Sequence, residues 1–188
     1  HGVPAQLEEM KRMTDTGVSA LVLTTRGMGL NQEQLYDYLF ELAQWSTIPV
    51  LLYEFPGYGG NHFLAPETYA KLAAEADIRG IKDTTCTQNG IGQKIDQAPH
   101  STVIQANIPL LLESYRMGAS GVMATTSTAA VQTLIKHWEA YQASTDVDDW
   151  QAQVVIQSTV LSKHFPASSK YMLSLQGVPF KPIIRSGA

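Results

Sequence analysis

Cysteine occurs once in 188 residues, at Cys86, so no disulfide can close within the chain. That fits a reducing compartment, and the expected location is the cytoplasm. No run of Lys and Arg is present, and the formal net charge is −4. Both features speak against a nucleic-acid or anionic-membrane surface, which needs a basic patch. No apolar stretch reaches the length of a membrane span, and the opening residues carry no signal-peptide pattern. His62, His100, His137 and His164 lack ligand spacing, so no metal is assigned, and no cofactor is called for. The first residue is not Met. His1 and Gly2 read either as an added remnant or as the start of a piece of something longer.

The hydrophobic content, 44%, suffices for one good core, and the length suggests one domain. Pro4 stands where a first helical position would be, and Leu7, Met10 and Met13 follow at near-helical spacing up to Gly17. Short apolar runs at 20–24, 48–53, 78–82, 101–105 and 119–124 read as strands. Helical patterns separate them. Asn31 and Gln34 have capping-box spacing ahead of Leu35, Leu39 and Leu42. Pro66 opens a helix through Tyr69 and Leu72, residues 87–97 form a weak one interrupted by Gly90 and Gly92, and Pro109 starts another. After the fifth strand, Val131, Leu134, Ile135, Trp138 and Tyr141 define one face of a long helix. Asp146 caps a further helix, with Asp148 and Asp149 in its first turn. Ser168 and Ser169 start the last one. Strand–helix repeated five times implies a parallel α/β sheet. An open doubly wound sheet and part of a (β/α)8 barrel both satisfy that pattern. The expected division is 1–145 for the sheet and its helices and 146–188 for a helical extension.

Two strand exits carry the chemistry: Tyr53-Glu54-Phe55-Pro56 and Gly80-Ile81-Lys82-Asp83-Thr84. A lysine at the end of a buried strand is unusual, because a charged amine seldom goes inside without a partner. The same placement suits an amine that must lose its proton to attack a carbonyl. An unperturbed lysine is free base in under about one molecule in a thousand at neutral pH, and burial increases that fraction. A phenol nearby can relay the protons of carbinolamine formation and breakdown. Tyr53 and Lys82 close successive parallel strands, so their side chains can meet at the carboxyl end. The glycine-rich stretch Gly57-Tyr58-Gly59-Gly60-Asn61 lacks the Lys-Ser/Thr ending of a phosphate loop and is read as backbone flexibility.

At these stretches the chain resembles the dihydrodipicolinate synthase / N-acetylneuraminate lyase family, whose strands end in Tyr-Asn-x-Pro and Gly-Ile-Lys-x-(Ala/Thr/Ser). Leu64-Ala65-Pro66-Glu67-Thr68 resembles its Leu-x-Pro-Glu-x, and Gly118-Ala119-Ser120-Gly121-Val122-Met123 its Gly-Ala-x-Gly-x-Ile. The resemblance implies a (β/α)8 TIM barrel, of which the chain supplies about five strand–helix units, barrel strands 4–8, plus carboxyl-terminal helices. It implies class I chemistry: Lys82 as the Schiff-base lysine and Tyr53 as the proton carrier. It places Thr84 at a substrate-contacting position and Met123 near a backbone carbonyl site at the barrel mouth. It also implies a small 2-oxo acid partner, such as pyruvate or a 2-keto-3-deoxy sugar acid, and a homo-oligomer.

Several positions depart from the family. Tyr58 stands where the dihydrodipicolinate-forming member has arginine, Thr25-Arg26-Gly27 replaces Pro-Tyr-Tyr, Glu54 replaces Asn, and Ala106-Asn107-Ile108 replaces Gly-Asp-(Asp/Glu). These favour an aldolase, lyase or dehydratase over synthesis of dihydrodipicolinate. Nothing matches the family's first three strands, which hold the substrate carboxylate. The competing expectation is therefore a catalytically impaired fragment, or a remnant that folds only on another chain. Arg26 is a candidate to hold a substrate carboxylate or to pair with an acid such as Glu54. Cys86 is expected to be an inert buried thiol, and Trp45, Trp138 and Trp150 to be packing residues.

Overall fold

The computed structural model describes residues 3–25, 29–55 and 63–185. Five strands, β1 (Leu21–Thr24), β2 (Val50–Tyr53), β3 (Ile78–Asp83), β4 (Thr102–Gln105) and β5 (Gly121–Val122), form one sheet in the order of the sequence. The first four pair in parallel. Helix α1 (Val3–Thr14) precedes β1, and α2 (Gln32–Gln44), α3 (Pro66–Glu75), α4 (Gln88–Gln97) and α5 (Leu111–Met117) fill the connections. Strands added always on the same side, each through a helix, send every right-handed crossover to the same face. That is the winding of a barrel; a doubly wound sheet reverses its strand order part-way.

Burial follows this arrangement. Leu21 and Leu23 of β1, Val50 and Leu52 of β2, Ile78 and Ile81 of β3, and Val103 of β4 are buried. Successive side chains of a strand point to opposite faces, and a register irregularity between the Val50–Ile78 and Leu51–Gly80 pairs lets Ile78 and Ile81, three apart, share one. One face is thus covered by helices contributing Leu35, Leu39, Leu42, Tyr69, Leu72 and Ile91. The other face carries Val22, which is 50% exposed, and the half-buried Leu51 and Tyr53.

Local sequence explains the element ends. Asn31 accepts from Gln34 N while Gln34 bonds back to Asn31 N, so the expected capping box forms. In α4 the glycines do not interrupt the helix. Thr87 caps it by accepting from Gly90 N (3.1 Å), and a Cβ at Gly90 would lie 2.6 Å from Thr85 Oγ1. Close approach of this turn to the preceding loop therefore requires glycine there. The fifth strand is shorter than the expected 119–124. Ala119 N is held by Ser114 O at the end of α5, and a 3-10 turn starts at Thr125.

The chain divides into two compact units, 1–105 with 113–121, and 106–112 with 122–188. The second contains α6 (Val131–Ala143), α7 (Val147–Ser162) and α8 (Ala167–Leu175). The buried face of α6 is Leu134, His137 and Ala140, whereas Val131 and Ile135 of the expected stripe are exposed. The buried positions repeat every three residues, and the imidazole fits among them. Trp45 also differs from expectation: it lies at the C-cap of α2 and is 68% exposed. Asp146 occupies the N-cap of α7 in a left-handed conformation, with no side-chain cap bond. Asp148 and Asp149 do fall in the first turn of that helix. Among the described residues, no helix is long and apolar enough to cross a membrane.

Burial pushes the His137 imidazole below its ordinary pKa of 6.5, and the neighbouring Gln151 side chain opposes part of that shift. A histidine whose folded pKa is depressed contributes stability that is present above the unfolded pKa. That stability fades as pH falls from about 6.5 toward the folded value. Thermal melts across pH 5–7.5 are expected to show wild type losing stability at the acid end faster than His137→Gln. Parallel curves would contradict this.

Candidate active site

The strand register places Tyr53 and Lys82 side by side. Thr24 pairs with Tyr53, Tyr53 with Lys82, and Lys82 with Ile104, all in one row across the sheet. Paired residues of parallel strands share a face, so Tyr53 and Lys82 project together on the face away from the helices. Lys82 Nζ lies 3.9 Å from the centroid of the Tyr53 ring, a cation–π contact. The Tyr53 ring also meets Phe55 edge-on, with centroids 5.6 Å apart. Both Lys82 and Tyr53 are half-buried.

Directly behind this pair, on the helix side, lies an ionic cluster. Lys94 of α4, with 1% of its side chain exposed, donates to Glu54 Oε1 at 2.6 Å and to Asp83 Oδ2 at 2.8 Å. Glu54 follows Tyr53 in sequence, and Asp83 follows Lys82. They point the opposite way because side chains alternate along a strand. Glu54 Oε1 also accepts from Leu64 N (2.8 Å), and the remaining oxygens are occupied too: Thr84 N donates to Glu54 Oε2 (3.4 Å). Thr85 N and Thr85 Oγ1 donate to Asp83 Oδ1 (3.1 and 2.8 Å). Gln32 of α2 holds the same approach to α3 from outside: its amide donates to Phe63 O and accepts from Ala65 N, both at 2.8 Å.

Two carboxylates share one ammonium away from water. Burial raises the Glu54 pKa above the ordinary carboxylate value, and the neighbouring Asp83 charge adds to the shift. Lys94 and the Leu64 N–H work against it.

The sequence-derived site residues fall as follows. Lys82, Tyr53 and Thr84 lie in the first unit. Thr84 is buried and its hydroxyl donates to Glu54 O at 2.7 Å. Met123 belongs to the second unit, just after β5, and is 41% exposed. Arg26 and Pro56 lie outside the described residues. Cys86 was expected to be buried and is exposed, with positive φ and its thiol donating to Thr84 O at 3.4 Å. The turn that leaves β3 lifts it outward.

Sequence reasoning missed Lys94 altogether and noted Glu54 as a replacement and as a candidate partner of Arg26. The usable signal was the helix face: Ile91 and Lys94 are three residues apart and both face inward. A cation on a buried stripe, opposite two acids at strand exits, asks for an ion pair.

Comparison with known proteins decides the family. The dihydrodipicolinate synthetase family matches residues 7–187. The chain belongs to this family. It is 26% identical over 157 residues to the 4-hydroxy-tetrahydrodipicolinate synthase of Listeria monocytogenes serotype 4a, covering 81% of this chain and 53% of that protein. It is 28% identical over 173 residues to the synthase of Bacillus velezensis, covering 89% and 60%. The chain thus spans little more than half the length of these relatives.

Among solved structures it is similar to YagE, a prophage protein of this family from E. coli K12 in complex with pyruvate. The TM-score is 0.88 at 21% identity, covering 100% of this chain and 66% of that one. It is also similar to the chloride-inhibited dihydrodipicolinate synthase of Acinetobacter baumannii complexed with pyruvate (TM-score 0.86, 22% identity, 100% and 66% covered). These likenesses establish the fold: the strand–helix units of this family member are part of a TIM barrel.

Removing one partner of a buried, satisfied ion cluster leaves uncompensated charge. Lys94→Met is expected to cost about 3–5 kcal/mol in denaturant unfolding. Glu54→Gln, which leaves the Lys94–Asp83 pair intact, is expected to cost less. Glu54 has a raised folded pKa, so its contribution is full below the ordinary carboxylate range and is lost as pH rises through the raised value. Wild type should therefore lose ground to Glu54→Gln as pH rises from 4 to 7. A wild-type advantage that grows over that range would refute the assignment.

Proposed function

We propose that the chain carries the Schiff-base centre of a lyase acting on a 2-oxo acid, such as pyruvate or a 2-keto-3-deoxy sugar acid. The observation that carries this reading is the Tyr53–Lys82 pair, in register on one sheet face with Nζ over the ring, in a chain of this family.

In the proposed reaction the neutral Lys82 amine adds to the C2 carbonyl of the 2-oxo acid. The oxygen takes up a proton and the nitrogen loses one, giving a carbinolamine. Tyr53 relays these protons. Loss of water, with a further proton delivered to the departing hydroxyl, leaves a protonated imine. That imine accepts the electron pair when the C3–C4 bond breaks in an aldolase, or when a C3 proton leaves ahead of a hydroxyl in a dehydratase. Protonation of the resulting enamine and attack by water return the amine. Thr84, Met123 and Arg26 belong to this proposal as substrate contacts, with the backbone of Met123 as the contact in its case. A cytoplasmic location and a homo-oligomeric assembly belong to it as well.

A second reading has one observation in its favour. Val22 is half-exposed and Thr24 exposed on the face that bears Lys82, as for a sheet that folds against a further chain. Both readings meet in one experiment. The purified chain is incubated with pyruvate and borohydride, digested, and its peptides are weighed. The expected result is a cooperative thermal melt together with a Lys82 peptide heavier by pyruvic acid less one oxygen. Lys82→Arg should abolish the adduct, and Tyr53→Phe should slow its formation on the order of 10²-fold or more. Folded protein without an adduct on Lys82 removes the imine mechanism. A chain that stays unfolded by itself supports the second reading.

A further inference from the structure

We propose that the buried Glu54–Lys94–Asp83 cluster is a positioning device for the amine and phenol on the other side of the sheet. Its three members come from β3, from α4 and from the residue that follows β2, and they converge at 2.6 and 2.8 Å. Glu54 is joined by one peptide bond to Tyr53, and Asp83 by one to Lys82. Fixing the two carboxylates on the helix face therefore fixes the backbone from which the two chemical side chains leave on the opposite face. Beyond Tyr53 and Lys82 the ladder thins: Glu54 N reaches Lys82 O at 3.4 Å. The side-chain bonds take over at that point. Thr84 Oγ1 holds Glu54 O, Glu54 Oε1 holds Leu64 N, and Asp83 Oδ1 holds Thr85.

A hydrophobic pair could fill the same volume and stabilise the fold equally well. It could not specify direction. Hydrogen bonds and a shared cation define the separation of the two strand exits, and reactions of bound partners are sensitive to displacements of about 1 Å. Glu54, Asp83 and Lys94 are thus positioning residues for Lys82 and Tyr53, and none of them touches the reacting atoms.

The test has one readout that depends on the imine reading and one that does not. Lys82 Nζ sits over the Tyr53 ring, so the adjoining ε-methylene protons should resonate upfield of those of other lysines through the ring current. ¹³C-lysine NMR reads that shift without any substrate. The second readout is the rate of borohydride-trapped pyruvate adduct at Lys82. Lys94→Met is expected to lose at least half of the ring-current shift. It should also form adduct on the order of 10²-fold more slowly, and not less than about tenfold. Glu54→Gln keeps an acceptor for Leu64 N and keeps the Lys94–Asp83 pair, and it should retain most of both.

Leu72→Ala, a buried truncation in the same unit, serves as the control for destabilisation alone and should leave both readouts near wild type. Where Lys94→Met fails to fold, Glu54→Gln/Lys94→Met, which removes the cation together with one of its anions, takes its place with the same expectation. Wild-type shift and rate in the Lys94 variant, within about twofold, overturn the inference, as does an equal loss in Leu72→Ala. A wild type that shows the ring-current shift but forms no adduct sinks the imine reading. Loss of that shift in the Lys94 variant would then still support positioning.

Discussion

A single ammonium shared by two carboxylates, with almost no access to water, is the constraint on which the candidate site depends. Lys94 reaches Glu54 and Asp83 from the buried stripe of α4, which it shares with Ile91. That packing in turn requires a glycine at position 90, where a Cβ would meet Thr85. Thr85 itself bonds Asp83. Helix cap, loop and ion cluster are thus one connected structure, and a change in any of them is felt by the strand ends.

The two faces of the sheet divide the work. The helix face holds the apolar core and the satisfied ion cluster. The other face holds Tyr53 and Lys82, less buried and paired in register. An ordinary β alternation links them, so neighbours in sequence face opposite ways: Tyr53 and Lys82 project away from the helices, Glu54 and Asp83 toward them. Buried ion clusters add little net stability compared with apolar packing, because desolvation offsets most of the attraction. What such a cluster does supply is a defined separation between strand exits.

Much of this was legible before any coordinates. The strand–helix alternation, the capping box at Asn31, and the Tyr53 and Lys82 exits each rest on local patterns that survive folding unchanged. Legibility failed where a residue's environment depends on elements far away in sequence. Cys86 reads as a small apolar side chain, yet the turn after β3 exposes it. Trp45 reads as a helix-packing residue, yet it falls at the helix end, past Ala43, the last buried residue of that helix. Gly90 reads as a helix breaker and is instead the only side chain small enough for its contact.

The sequence by itself determined the periodicities, and with them the parallel α/β class, the placement of a lysine and a tyrosine at the ends of adjacent strands, and the family likeness. Those are properties of spacing along the chain. Only the tertiary structure decided that the strands add in one direction, as in a barrel. It alone decided that Lys82 lies over the Tyr53 ring, and that Glu54 answers Lys94, forty residues away. The physical reason is that register and helix docking are set by long-range burial. Which charges meet in the dry interior is fixed by that packing, and no short stretch of sequence encodes it.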